Sequence, residues 1–230
     1  MSKPKWAVML FVLMLTATSG LWAQRPGHGS MNPFSSLPSF GLQNPTVGSG
    51  SEYLVTTNGK EMDMSIVALG KEDVDGQPGF WMETRMNSPE LGGEMIMKTL
   101  TFHTATQTGV KRMIMQRPGQ PPMEMPSFMM NMMQQHQPPP VTGNAGDAGM
   151  GQLVGTESIT VPAGTFECQH YRKQDARGTT DLWISTQVTP WAMVKMTASN
   201  TTMVLKKVLS NESSHITGEP QKMAIPGMPQ

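Results

Sequence analysis

Residues 61–68 read EMDMSIVA, in which Met62, Met64, Ile66 and Ala68 alternate with Glu61, Asp63 and Ser65. A period of two is the mark of a half-buried strand, because successive side chains leave a pleated backbone on opposite sides. Thr57-Asn58-Gly59 precedes it. Asn-Gly between two alternating segments predicts a hairpin, since both residues accept positive φ. Comparable segments recur at 52–56, 60–69, 79–86, 94–103, 110–116, 157–161, 165–173, 179–185, 192–198 and 202–210, separated by turn-rich stretches such as NSPELGG and TATQTG. No helical run of roughly 10–15 residues lies between them, which disfavours βαβ units. The expected fold is mainly β: a single curved antiparallel sheet or half-barrel of about ten strands, with a short Met-rich helix or loop as a lid.

The chain opens MSKPKWAVMLFVLMLTATSGLWAQ, with Lys3 and Lys5 ahead of an uncharged apolar run over residues 6–15, then small polar residues and Ala23. That order predicts a signal peptide over 1–23 and a periplasmic or secreted product. The run is about half the roughly 20 residues that span a bilayer, so no transmembrane span is expected after cleavage. Loss of Lys3 and Lys5 tips the balance of 17 basic and 17 acidic residues slightly negative. A chain without a Lys/Arg cluster lacks the footprint that phosphate backbones require, which argues against nucleic acid as a partner.

Three stretches look unable to build a core. Residues 24–50 mix Gly, Pro, Ser and Asn without periodicity and are expected as a flexible leader; 214–230 read likewise as a flexible tail. A Met/Pro-rich insertion at 117–152 interrupts a β domain expected over 51–213. Cys168 is the one cysteine, so no intramolecular disulfide exists and it reads as a small buried apolar residue. A nucleophilic role would need a base and an orienting partner; His170, two residues on, shares a strand face with it.

The chain holds 24 methionines, and that number needs a reason. Met62/Met64, Met95/Met97 and Met113/Met115 are Met-x-Met pairs inside expected strands, so each pair projects from one side. Such a face is either ordinary core or an adaptable apolar surface, because the thioether chain is unbranched and polarizable. Within PPMEMPSFMMNMMQQHQPPP, Met125, Phe128, Met129, Met132, Met133 and His136 follow helical spacing, and Met130 alone breaks it. The segment is expected as an amphipathic helix over 125–136 that docks its Met/Phe face on the methionine-lined sheet. Thioethers also select Cu(I), which makes Met123, Met125, Met129, Met133 and His136 the alternative metal set; zinc lacks paired His or Cys ligands. Glu83 and Glu94 fall on neighbouring strands and read as solvated face rather than a catalytic pair. No phosphate-cradling loop, nucleophile elbow or H-E-x-x-H is present, so no enzyme and no cofactor is expected.

Thr160-Val161-Pro162-Ala163-Gly164-Thr165-Phe166-Glu167-Cys168, then Leu182-Trp183-Ile184-Ser185 and Trp191-Ala192-Met193-Val194-Lys195, resemble a family of uncharacterised exported bacterial proteins. The likeness covers 155–205. It implies a lipoprotein-carrier-like architecture, a strongly curved antiparallel sheet with helices across its open side, and it brings no catalytic residues. The expected function is therefore an exported, non-catalytic module holding a lipid or other apolar moiety on Met62, Met64, Met95, Met97, Met113, Met115, Met125, Phe128, Met129, Met132 and Met133. The alternatives are Cu(I) binding, or a structural or assembly role in the envelope with a protein partner.

Overall fold

The computed structural model describes residues 45–103, 108–135, 150–176 and 178–223. The expected signal peptide, most of the leader, His136 and the last residues lie outside them. Twelve strands among the described residues form one curved, unclosed sheet. In chain order they are β1 (Gly50–Thr57), β2 (Lys60–Val74), β3 (Gln77–Ser88), β4 (Gly93–His103), β5 (Thr108–Gln116), β6 (Met123–Glu124), β7 (Gln152–Val161), β8 (Gly164–Asp175), β9 (Gly178–Ile184), β10 (Met193–Ala198), β11 (Thr201–Leu209) and β12 (Gln221–Lys222). The spatial order is β12-β6-β5-β4-β3-β2-β1-β11-β10-β9-β8-β7, so the two hairpin arrays join where β1 pairs with β11. One helix, α1 (Ser127–Gln135), and a 3-10 turn at Pro89–Leu91 complete the described elements.

Turn chemistry sets the register. Asn58 and Gly59 take positive φ (52° and 77°) between β1 and β2, as Asn-Gly requires, and Asp75-Gly76 does the same (53° and 80°) between β2 and β3. The second hairpin extends β2 by five residues beyond the alternation seen in the sequence. Gly164 sits at φ 136° after Pro162-Ala163, a conformation that favours glycine.

Because directly opposed residues share a face, the pairings divide the side chains into two sets. One face carries Tyr53, Val55, Met62, Met64, Ile66, Met82, Met86, Met95, Met97, Met113 and Met115, and continues through Met203, Leu205, Met196 and Leu182. At β1, β9, β10 and β11 it is the core: Tyr53, Leu182, Met203 and Leu205 are buried, and the Tyr53 hydroxyl donates to the Met193 carbonyl (3.1 Å). Burial drives the Tyr53 pKa far above its usual value, with a hydrogen bond to Ser51 opposing, so the phenol stays a neutral donor. The other face carries Glu61, Asp63, Glu72, Glu83, Arg85, Glu94, Lys98, Arg112 and Glu124.

Three expectations are corrected here. Residues 45–49, assigned to the flexible leader, are tied to β2: the Gly48 N–H donates to the Ala68 carbonyl (2.7 Å) and the Ala68 N–H to Ser49 (2.9 Å). The tail from Ser214 is bound as far as Met223, where β12 pairs in parallel with β6. Glu83 is not solvated but fully buried, and it is the reason the tail is held. Its Oε1 accepts from Arg85 Nε (2.8 Å) and from the His215 backbone N–H (2.9 Å), while Oε2 accepts from the Ser214 hydroxyl. Arg85 in turn donates to Glu212 (2.8 Å) and to the Ser213 carbonyl (2.6 Å). A buried charge pair is tolerable when its remaining donors and acceptors are satisfied, and this strap satisfies them.

Candidate functional site

The methionines of the strand pairs converge as alternation predicts. Met64 lies opposite Met86, Met86 opposite Met95, Met97 opposite Met115, and Met115 opposite Met123 on edge strand β6. Met82 also shares this face. Along the row the environment changes. Met64, Met82 and Met86 are buried, whereas Met62, Met95, Met97, Met113, Met115 and Met123 are half-buried. At the positions of Met82 to Met86, Met95 to Thr101, Met113 to Met115 and Met123, this face carries methionine and threonine and no charged side chain. The six half-buried thioethers therefore make a ledge of low polarity, continuous with the core at β1 and β2.

Helix α1 is seated elsewhere, and this corrects the expected docking. Met130, the residue that broke the helical pattern, is buried (7% exposed), while Met132 is 56% exposed and Phe128 and Met129 are half-buried. Met130 and Ser127 line a cleft of about 350 Å³ with Val74, Gln77 and Phe102, which the register puts on the charged face, and with Val110 and Lys111 at the β5 bulge. The helix thus meets the sheet behind the methionine ledge and does not lid it. Its sequence is apolar on nearly every side, SFMMNMM, so the period fixes a helix but leaves its rotation about the axis undetermined. A second cleft of about 320 Å³ is lined by Lys71, Glu72, Asp73, Gly76 and Pro78, at the hairpin end of β2 and β3.

Of the alternative copper set, Met123 joins the ledge opposite Met115, and the Met125 N–H donates to the Met113 carbonyl (2.9 Å), continuing the β5 edge. Met129 belongs to α1; the Met133 side chain and His136 lie outside the described residues. Among the described residues, no group of three or more His, Cys, Asp or Glu is placed to hold a metal ion.

No nucleophile is assembled around Cys168. The thiol is fully buried, and burial, aided by the charges of Glu167 and Glu157, pushes its pKa up to about 11. His170 does share its face, yet both ring nitrogens are engaged: Nδ1 lies 3.0 Å from Glu157 and Nε2 2.7 Å from Asp181. The ring also stacks on Trp183 (centroids 4.5 Å apart), over which Lys195 sits at 4.9 Å. Burial alone would raise the Asp181 carboxyl, but hydrogen bonds from Arg172 and His170 outweigh it and hold it below the usual range. This cluster ties β7, β8, β9 and β10 together on the charged face. A second does so for β2 to β6, where Trp81 donates to Glu72 (2.7 Å), lies under Lys98 and Arg112 (5.2 Å each), and Arg112 pairs with Glu124. Neither cluster was legible in advance, because each depends on which strands become neighbours.

No protein-family model and no curated protein matches the chain. Two solved structures overlap it loosely. A provisionally named lipoprotein of Parabacteroides distasonis superposes with a TM-score of 0.36 at 13% identity, over 71% of this chain and 96% of that one. A provisionally named exported protein of Bacteroides fragilis with a YmcC-like fold gives 0.33 at 12%, over 71% and 96%. Overlaps this loose leave the functional reading to this chain's own residues. Among the described residues, no helix is long and apolar enough to cross a membrane.

Proposed function

We propose that the protein is an exported, non-catalytic binding module that holds a lipid or another apolar moiety along the ledge formed by the half-buried Met62, Met95, Met97, Met113, Met115 and Met123, backed by the buried Met64. The observation that carries the reading is the run of thioethers on one face of β3 to β6, where Met82, Met86, Met95, Met97, Met113, Met115 and Met123 share a side while Glu83, Arg85, Glu94, Lys98, Arg112 and Glu124 project from the other. An acyl chain laid on such a surface removes apolar area from water at roughly 25 cal/mol per Å², before the cost of ordering it. Methionine suits a ligand of variable shape, since its side chain repacks without strain. Because Met62, Met95, Met97, Met113 and Met115 are half-buried, a ligand laid along them keeps one side toward solvent or toward a partner. Export is supported by the basic and apolar order of residues 1–23.

Native mass spectrometry after extraction without detergent is expected to show a lipid-sized adduct. A protein recovered consistently empty, and one that fails to enhance the fluorescence of a hydrophobic dye, would contradict the proposal. A second reading draws on the edge strand β7, whose Leu153 and Val154 are both more than half exposed. An envelope partner adding a strand there would make the protein an assembly component. Crosslinking in the native envelope from position 153 separates that reading from the first.

A further inference from the structure

We propose that Met97, Met115 and Met123 form a binding site for a soft monovalent cation, Cu(I). The three residues occupy one register row on adjacent strands, Met97 opposite Met115 across β4 and β5, and Met115 opposite Met123 across β5 and β6. Side chains directly opposed in an antiparallel pair have Cβ atoms about 4.5–5.5 Å apart. Three flexible bonds in each methionine side chain then let three sulfurs close on one ion while the backbone stays fixed. All three are half-buried, so an ion can reach them, and β6 is a two-residue strand at the margin of the antiparallel array.

The chemistry of the row selects the ion. Thioethers are soft ligands that favour Cu(I), whereas calcium and magnesium take oxygen and zinc takes thiolate, imidazole or carboxylate. The nearby oxygen ligands with charge, Glu94, Glu124 and Glu83, project from the opposite face. Three neutral donors leave the complex with a single positive charge, which a half-buried site of low polarity bears at lower cost than a divalent ion. The site differs from the helical set inferred from sequence spacing: it uses Met123 but neither Met129 nor Met133, because α1 is seated behind the ledge. It does not rest on the apolar-cargo reading.

The full chain titrated with Cu(I) under anoxic, reducing conditions, against a colorimetric Cu(I) chelator, is expected to withdraw one ion per molecule. X-ray absorption should show a first shell of sulfur alone. Met115→Leu removes the central ligand while conserving volume and is expected to weaken binding on the order of 10–100-fold, at least the loss that an outer-shell partner causes. Met129→Leu should bind as the parent does. The adduct is read on the parent alone, so copper withdrawn by an adduct-free parent, or an adduct on a parent that takes no copper, tells the two proposals apart. Circular dichroism establishes that the variant is folded, and Cu(I)-induced shifts of the Met97, Met115 and Met123 methyl resonances in the parent read the same site without mutation. Failure of the parent to compete with the chelator, unchanged affinity in folded Met115→Leu, or an oxygen or nitrogen first shell would overturn the proposal.

Discussion

Glu83→Ala is expected to destabilise the protein by about 3–5 kcal/mol, the range for breaking a buried ion pair by removing one partner. The carboxylate is fully buried and accepts three hydrogen bonds, from Arg85, Ser214 and His215. Its loss leaves Arg85 buried with Glu212 as its remaining carboxylate partner, itself on the strap that Glu83 anchors. Urea unfolding followed by circular dichroism gives the change as a lower midpoint. Hydrogen exchange adds a local readout, because the His215 amide should lose protection well before the amides of β2 and β3. Glu83→Gln keeps the shape and some acceptors, so its cost should fall below that of alanine. A cost under about 1 kcal/mol for Glu83→Ala, the level of an exposed pair, would mean that the strap is not held by this charge.

Leu205→Ala is expected to cost about 2–5 kcal/mol. Leu205 is fully buried at the seam between the two hairpin arrays, directly opposite Tyr53 across β1 and β11. Truncation opens a void where neighbouring side chains on both strands are themselves buried and have little freedom to collapse into it. Val208→Ala, three residues along the same strand but 43% exposed, should stay within about ±0.5 kcal/mol. Chemical unfolding of both variants checks the contrast. Equal costs at the two positions would show that the seam is not the core of the sheet.

The elements that were legible in the sequence are those fixed by neighbours along the chain. Alternation placed the strands, and Asn58-Gly59 marked the hairpin between β1 and β2, because pleat and positive φ are local properties. The common face of Met62, Met64, Met95, Met97, Met113 and Met115 followed once the strands paired in register. Asp75-Gly76 carried an equally local hairpin signal that the charged sequence around it, KEDVDG, obscured. What the sequence hid was long-range. Glu83 and Arg85 alternate with Met82, Thr84 and Met86, and these five consecutive positions of central strand β3 are all buried, Glu83 beneath a polar tail whose Ser214 lies 131 residues further along the chain. Opposite charges two residues apart on a strand share a face, which is the one clue that they pair. The rotation of α1 was hidden for a different reason, since an apolar residue at almost every position carries no azimuthal signal.

The claim that the methionine ledge is a binding surface is tested most directly by methionine-methyl NMR of the full chain titrated with dodecanoate below its micellar concentration. Resonances of Met62, Met95, Met97, Met113 and Met115 should shift together along a single saturable curve, while Met130 and Met132 of α1 stay still. Shifts confined to Met130 and its cleft neighbours, or no saturable shift at any methionine, would contradict the account.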